Sequence, residues 1–266
     1  LRGVLIDGAL GTFLTDNVIS GNDQHGVQIT NSAMLTTLEG NKIGVDIEGD
    51  DALPNKQSGV VIDQSSSFNT IGRTITKGNT ISGNLLNGVY IKDANNNQVS
   101  GNKIGVQIDG STELPNGESG IRITNGTNNQ IGATASGGTI DDGNIIWYNT
   151  QHGVYIESGT KNSIRLNSID KNGGLGIDLG GDGVTPNDTD DSDPGPNNKQ
   201  NFPLVISQSF GCGGDTVFKT GGSLRSTPNT GFQIDFYTVS EIDPSGHGEG
   251  KQFLASAFVT TDANGF

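Results

Sequence analysis

A single cysteine, Cys212, stands in 266 residues, so no disulfide can close within the chain and a buried or free thiol is the expectation for that side chain. Basic residues are also scarce: 15 Lys and Arg stand against 29 Asp and Glu, for a formal net charge of -14. Affinity for nucleic-acid phosphates comes from Lys and Arg displacing condensed counterions, so nucleic acid is excluded as the main partner. The same charge disfavours a grip on acidic polysaccharides unless a bridging cation reverses the local sign, and it favours solubility. No run of about 18 apolar residues occurs, so the chain is not expected to span a membrane as a helix. Leu1 opens no basic-then-apolar targeting segment, and both ends are expected to continue into something longer. Aromatic residues are few, 10 Phe, 4 Tyr and 1 Trp, and only 31% of residues are hydrophobic, which is lean for a globule with a thick core.

What the chain has instead is glycine, 42 residues of it, and Val/Ile pairs that recur too regularly for a disordered segment. Seven stations share the spelling Gly-(Val/Ile)-x-(Ile/Leu), beginning at Gly3, Gly26, Gly59, Gly88, Gly120, Gly153 and Gly176. Their separations are 23, 33, 29, 32, 33 and 23 residues, the mark of a repeat architecture. A second spelling, Asn-x-(Ile/Val), falls between them at Asn17, Asn41, Asn69, Asn79, Asn97, Asn102, Asn129, Asn144, Asn162 and Asn167. Two such segments following most stations give three short strands per turn of a coil. A larger copy is visible as well, because Asn17 to Ile29 matches Asn79 to Ile91, and Asn41 to Ile62 matches Asn102 to Ile123. The offsets of 62 and 61 residues mark a duplication of two turns.

Strand geometry explains why this spelling makes a coil. Alternate side chains point to opposite faces, so the Val and the second Ile are expected inside, with Gly and x outside. One four-residue strand buries too little to stand alone. Stacking each turn on the next at about 4.8 Å completes the parallel hydrogen-bond ladders and aligns like side chains into one core. Corners need a backbone that tolerates the left-handed region, which Gly21-Asn22, Gly83-Asn84 and Gly101-Asn102 supply, and Asn at equivalent corners can bond to its copies above and below. Extra residues are carried as loops, Asp50 to Ser58 and Gly110 to Ser119 among them. The expected fold class is all-β, a right-handed parallel β-helix of about seven turns with an antiparallel β-sandwich segment behind it.

The turn Asn17-Val18-Ile19-Ser20-Gly21-Asn22 followed by G-V-x-I resembles bacterial secreted right-handed β-helix repeat proteins of the pectate-lyase-like superfamily, over Leu1 to Gly180. The resemblance implies a secreted, extracellular or cell-surface bacterial protein. In that superfamily the coil serves polysaccharide lyases, glycoside hydrolases, epimerases, tailspikes and adhesins, so fold does not fix function. Catalytic signatures of the enzyme branches are missing: Gly246-His247-Gly248 lies beyond the repeat, no Arg-x-Lys follows on a turn, and no Asp-Pro-His occurs.

Three segments are expected: 1–180 as the β-helix, 181–200 as an acidic linker and 201–266 as a partial sandwich. In the linker, Asp188, Asp190, Asp191, Asp193 and Asn197 have a spacing like part of a calcium loop, without the distal Glu, so a structural calcium ion and a solvated acidic hinge are both open. Beyond it, alternation in Phe202 to Ile206, Phe232 to Tyr237 and Phe253 to Val259 predicts antiparallel strands. Resemblance identifies these with an incomplete immunoglobulin-like sandwich.

Aligning the stations gives an outward x column of Leu5, Gln28, Val61, Tyr90, Arg122, Tyr155 and Asp178, with Lys92 and Glu157 in the next outward column. Tyr90, Arg122 and Tyr155 form an aromatic and charged strip about 15 Å long that suits a sugar chain, although ordinary cross-strand pairing accounts for it as well. For a lyase, Lys92 or Arg122 would serve as base with Glu157 and Asp178 holding a cation; for a glycosidase, Glu157 and Asp178 would be the carboxylate pair flanking the scissile bond. His25 and His152 precede matching glycines four stations apart, too far for one metal, and both are expected at exposed corners. Asp141-Asp142 reads as a turn. The favoured function is a non-catalytic extracellular structural, adhesion or glycan-binding protein; a polysaccharide lyase or glycoside hydrolase is the alternative. Expected partners are a polysaccharide or another surface component, with self-assembly into a filament open to a repeat of this kind.

Overall fold

The computed structural model describes residues 1–134, 138–210 and 218–266; Cys212 lies outside them. The seven stations are seven parallel strands in one sheet, Val4–Asp7, Val27–Thr30, Val60–Ile62, Val89–Lys92, Ile121–Thr124, Val154–Ile156 and Ile177–Leu179, in chain order. Register is that of the repeat, with Val27 opposite Val60, Val89 opposite Ile121 and Val154 opposite Ile177. The Asn-x-Ile segments divide between two further parallel sheets. The second sheet holds Phe13–Thr15, Thr37–Glu39, Thr70–Gly72, Gln98–Ser100, Gln130–Gly132 and Ser163–Arg165. The third holds Val18–Ile19, Lys42–Ile43, Thr80–Ile81, Lys103–Ile104, Ile145–Trp147 and Ser168–Asp170.

Between the sheets runs a narrow core of like side chains stacked rung on rung: Ile29, Ile62, Ile91 and Ile123 from the first, Leu38, Ile71, Val99 and Ile131 from the second, and Ile43, Ile81, Ile104 and Ile146 from the third, all fully buried. Each rung contributes one or two branched residues per sheet, which is why 31% hydrophobic residues suffice.

The simple alternation fails at the station glycines, which are buried from Gly26 to Gly176. A Cβ on Gly88 would sit 2.7 Å from the Gly120 carbonyl oxygen and 2.7 Å from Ile104 Cγ2. The glycine marks where a corner folds tightly against the rung above. Gly101, with φ of +67°, does the complementary job at a turn that needs the left-handed region.

Asparagine supplies the second axial network, in three rows. Asn17, Asn41, Asn79, Asn102, Asn144 and Asn167 form one, each side-chain oxygen accepting from the backbone and side-chain N–H of the Asn before it. Asn22, Asn55, Asn84, Asn116, Asn149 and Asn172 form another. Asn69, Asn97, Asn129, Asn162 and Asn197 form the third. Asn55 and Asn116 come from the Leu-Pro-Asn ends of the two inserted loops, so each insertion returns the chain to the same row. The loops also touch each other, Gln107 Nε2 donating to the Asp50 carbonyl at 2.7 Å and Ile108 N to that of Gly49 at 2.9 Å.

Past the coil the strands are antiparallel, as their alternation predicts: Leu204–Phe210 pairs with Phe218–Ser223 and Gly231–Thr238 with Gln252–Thr260, giving two two-stranded sheets. The second hairpin covers the last rung. Ile169 N donates to the Gly250 carbonyl at 3.0 Å, Leu166 N donates to Tyr237 Oη at 3.0 Å, and Lys251 Nζ lies 5.2 Å above the Trp147 ring. Glu249 ends one asparagine row by accepting from Asn172 N and Nδ2, and Asn197 ends another.

Candidate functional site: the Tyr90–Arg122–Tyr155 strip

Register brings the strip together as the alignment predicts, with Val61 opposite Tyr90, Tyr90 opposite Arg122, Arg122 opposite Tyr155 and Tyr155 opposite Asp178. Because neighbouring rungs are one strand spacing apart, side chains of the same column must stack or diverge. These stack. The Arg122 guanidinium carbon lies 5.3 Å from the Tyr90 ring centre and 5.4 Å from that of Tyr155, a cation held between two aromatic faces. Its Nη2 donates to Glu157 Oε2 at 2.8 Å, and the same oxygen accepts from Thr124 Oγ1 at 2.6 Å. Tyr90 Oη pairs with Thr124 Oγ1 at 3.2 Å.

Electrostatics follow from this geometry. The Thr124 hydroxyl and then Arg122 hold the Glu157 carboxyl below its ordinary range. Burial opposes the charge on Arg122, yet the Glu157 hydrogen bond and charge prevail and its pKa rises. Burial, reinforced by the Glu157 charge, also pushes the Tyr155 phenol up. The strip is therefore a neutralised, hydrogen-bonded unit whose rings and guanidinium edge face solvent only in part. Lys92, in the adjoining column, is exposed.

Asp178 occupies the expected column and yet is 1% exposed. Gly181 N donates to its Oδ1 at 2.8 Å, while Oδ2 has no hydrogen-bond partner among the described residues and faces His152 Nε2 at 3.6 Å. The segment after the last station folds back over this carboxylate. His152 is likewise half-buried, not an exposed corner: its Nδ1 accepts from Leu175 N at 3.1 Å and its ring lies 5.6 Å from Tyr155. His25 is half-buried too, and burial pulls its pKa down. The pairing of His152 with Asp178 was not anticipated, although the residues lie on adjacent rungs. Asp141 and Asp142 close a single 3-10 turn, Ile140–Asp142, at the corner expected for them.

In the acidic segment, Asp188, Asp191 and Asp193 can each offer a carboxylate oxygen within 4.8 Å of the others. Donors already serve two of the three: Ser192 N and Asn201 Nδ2 donate to Asp188, and Asn201 N and Ser226 Oγ donate to Asp191. Asp190 stands outside that group, and the Asn197 side chain belongs to the asparagine row. Asp46, Asp50 and Asp51 converge in the same way in the first inserted loop, where Asp46 Oδ1 accepts from Gly49 N at 2.7 Å and Asp50 N at 3.1 Å.

Three parallel sheets closed into a coil, with a half-buried ladder of stacked side chains on one face, define a right-handed parallel β-helix protein. A family model described as the right handed beta helix region matches residues 2–191, and the chain belongs to that family. Among solved structures, the periplasmic alginate epimerase AlgG is similar at 19% identity and a TM-score of 0.52, over 66% of this chain and 34% of that one. A mutant form of the same epimerase matches at 18% identity and a TM-score of 0.52, over the same shares. This chain thus spans about a third of their length, and at such identities the likeness is one of fold. No curated protein matches the sequence. No helix among the described residues is long and apolar enough to cross a membrane.

Proposed function

We propose that the chain is a non-catalytic extracellular or cell-surface β-helix module that binds polysaccharide along the Tyr90–Arg122–Tyr155 strip. The observation that carries this reading is the fixing of Arg122 between two tyrosine rings while Glu157 neutralises it. Rings presented in a row suit the C–H faces of sugars, and a pre-ordered guanidinium adds hydrogen-bond donors at little entropic cost.

The lyase alternative assigns Lys92 or Arg122 as base with Glu157 and Asp178 holding a cation, and the glycosidase alternative assigns Glu157 and Asp178 as the carboxylate pair. A base needs a free lone pair near working pH, and an acid needs a proton. Arg122 is shifted away from losing its proton, which disfavours it as a base, and the Glu157 carboxylate is already engaged by Arg122 and Thr124, which together favour binding over turnover. Asp178 lies beneath the chain that follows it, away from any ligand on the strip. Periplasmic alginate epimerases share the coil, in line with a polysaccharide partner and an envelope or extracellular setting.

The test is a polysaccharide panel read three ways: retention in affinity electrophoresis, absorbance of unsaturated products, and release of reducing ends. Binding without either product, weakened by Arg122→Ala and Tyr155→Ala, is the expected result. Turnover that Arg122→Ala or Glu157→Ala abolishes would sink the proposal.

A further inference from the structure

A second face of the coil carries an open polar groove of about 490 Å³ where the second sheet meets the corner that enters it. Its floor is a column of Thr70, Gln98, Gln130 and Ser163, set one rung apart by the strand register. Its rim is Phe68, Asn96, Asn128 and Lys161, all exposed and all in the left-handed region with φ between 56° and 59°. That backbone is unfavourable for a non-glycine residue and suits Asn best. Phe68 and Lys161 take it because the corner is repeated at every rung, and it turns each rim side chain away from the coil.

The groove differs from the Arg122 strip in how its polar groups are used. There, Tyr90, Thr124, Glu157 and the Nη2 of Arg122 bond to one another, and the buried Arg122 Nε lacks a partner among the described residues. In the groove, the side chains of Asn96, Gln98, Asn128, Gln130 and Ser163 make no hydrogen bond among the described residues, although the asparagine row directly beneath them is fully bonded. Four carboxamides therefore offer paired donors and acceptors outward, in two columns at about 4.8 Å intervals. Among the described residues Lys161 is the one charged side chain lining the groove, and Phe68, 52% exposed, places a ring at the opposite end.

We infer that this groove binds a neutral, extended glycan lying along the coil axis. Each carboxamide can donate to one sugar hydroxyl and accept from its neighbour, the spacing of the rungs is close to the rise of an extended pyranose chain, and the Phe68 ring covers a sugar face at one end. A uronate chain would meet a single cation here against a net charge of -14 on the protein as a whole. The groove shares no residue with the Arg122 strip, so the inference stands apart from the function proposed above.

Titration calorimetry of the whole chain with hexasaccharides of β-1,4-glucan, β-1,4-mannan and alginate tests it. At least one neutral hexasaccharide is expected to bind. Gln98→Ala with Gln130→Ala should weaken that binding about tenfold or more, as loss of two hydrogen bonds predicts, and Phe68→Ala should also weaken it. Arg122→Ala should leave it within about twofold, which separates this groove from the strip. The Gln98 and Gln130 side chains make no hydrogen bond among the described residues, so circular dichroism and melting temperature of that double variant should match the parent. Failure of both neutral ligands to bind, or binding that survives the Gln98→Ala/Gln130→Ala change, overturns the inference.

Discussion

The guanidinium of Arg165 and the carboxylate of Asp235, 70 residues apart, meet through two hydrogen bonds of 3.0 Å each, Nε to Oδ2 and Nη2 to Oδ1. One residue ends the last strand of the second sheet; the other sits in the hairpin that covers it. Both side chains are largely buried, so the pair is shielded from the screening that makes surface ion pairs weak. Arg165→Ala should loosen the hairpin by about 2 kcal/mol, the scale of charged hydrogen bonds, and Arg165→Lys by less because it keeps charge without the fork. Hydrogen exchange checks this: faster exchange is expected across 231–260, with the strands around Ile91 and Ile123 unchanged.

An asparagine in mid-row and one at its start should behave differently. Asn102 donates to Asn144 Oδ1 and to the Ile71 and Ser100 carbonyls, and it accepts from Asn79. Asn102→Ala strands these groups in a buried place and should cost at least about 3 kcal/mol in denaturant unfolding. Asn17, exposed on the first rung, should cost under about 1 kcal/mol when changed to Ala. Equal costs would show that the row is not the axial support the hydrogen bonds describe.

Two carboxylates should give opposite pH signatures. Glu157 titrates below its ordinary value of 4.5 in the folded chain, chiefly through Thr124 and then Arg122. Its contribution is therefore present above that value and is lost as pH falls through the lower, folded one. Glu249 is shifted upward, burial outweighing its bonds to Asn172. Protonation then favours the folded state, so its contribution is complete below the ordinary range and is lost as pH rises through the folded value. In melting temperatures recorded across acid pH, the advantage of the parent over Glu157→Gln should shrink on acidification, while the difference from Glu249→Gln should move in the parent's favour.

Strand positions and the stacking of Tyr90, Arg122 and Tyr155 were legible in the sequence because the G-V-x-I spelling fixes register, and register fixes which side chains meet. The direction of the station glycines was not. At a corner the in-out alternation of a strand no longer holds, and Gly88 points into a contact that alternation assigns to solvent. Burial of Asp178 was hidden for a related reason: the chain covering it comes after the repeat and carries none of its spelling. Asn55 and Asn116 sat within Leu-Pro-Asn copies that were visible as a duplication, but their place in a buried row appears only once the loops are closed. Glu249, which ends that row from 77 residues away, had no local signal at all.

The duplication of two turns and the closure of the asparagine rows together separate two properties that most folds inherit jointly. A block of about 61 residues begins and ends at equivalent points of the same rows, so copying or deleting one leaves every junction chemically familiar. The closing groups Asn197 and Glu249 lie outside the duplicated block and meet the same kind of neighbour whatever the number of rungs before them. Length can thus change by whole two-turn blocks without new junction chemistry, along with the extent of any surface that runs down the coil, while the closing contacts stay the same.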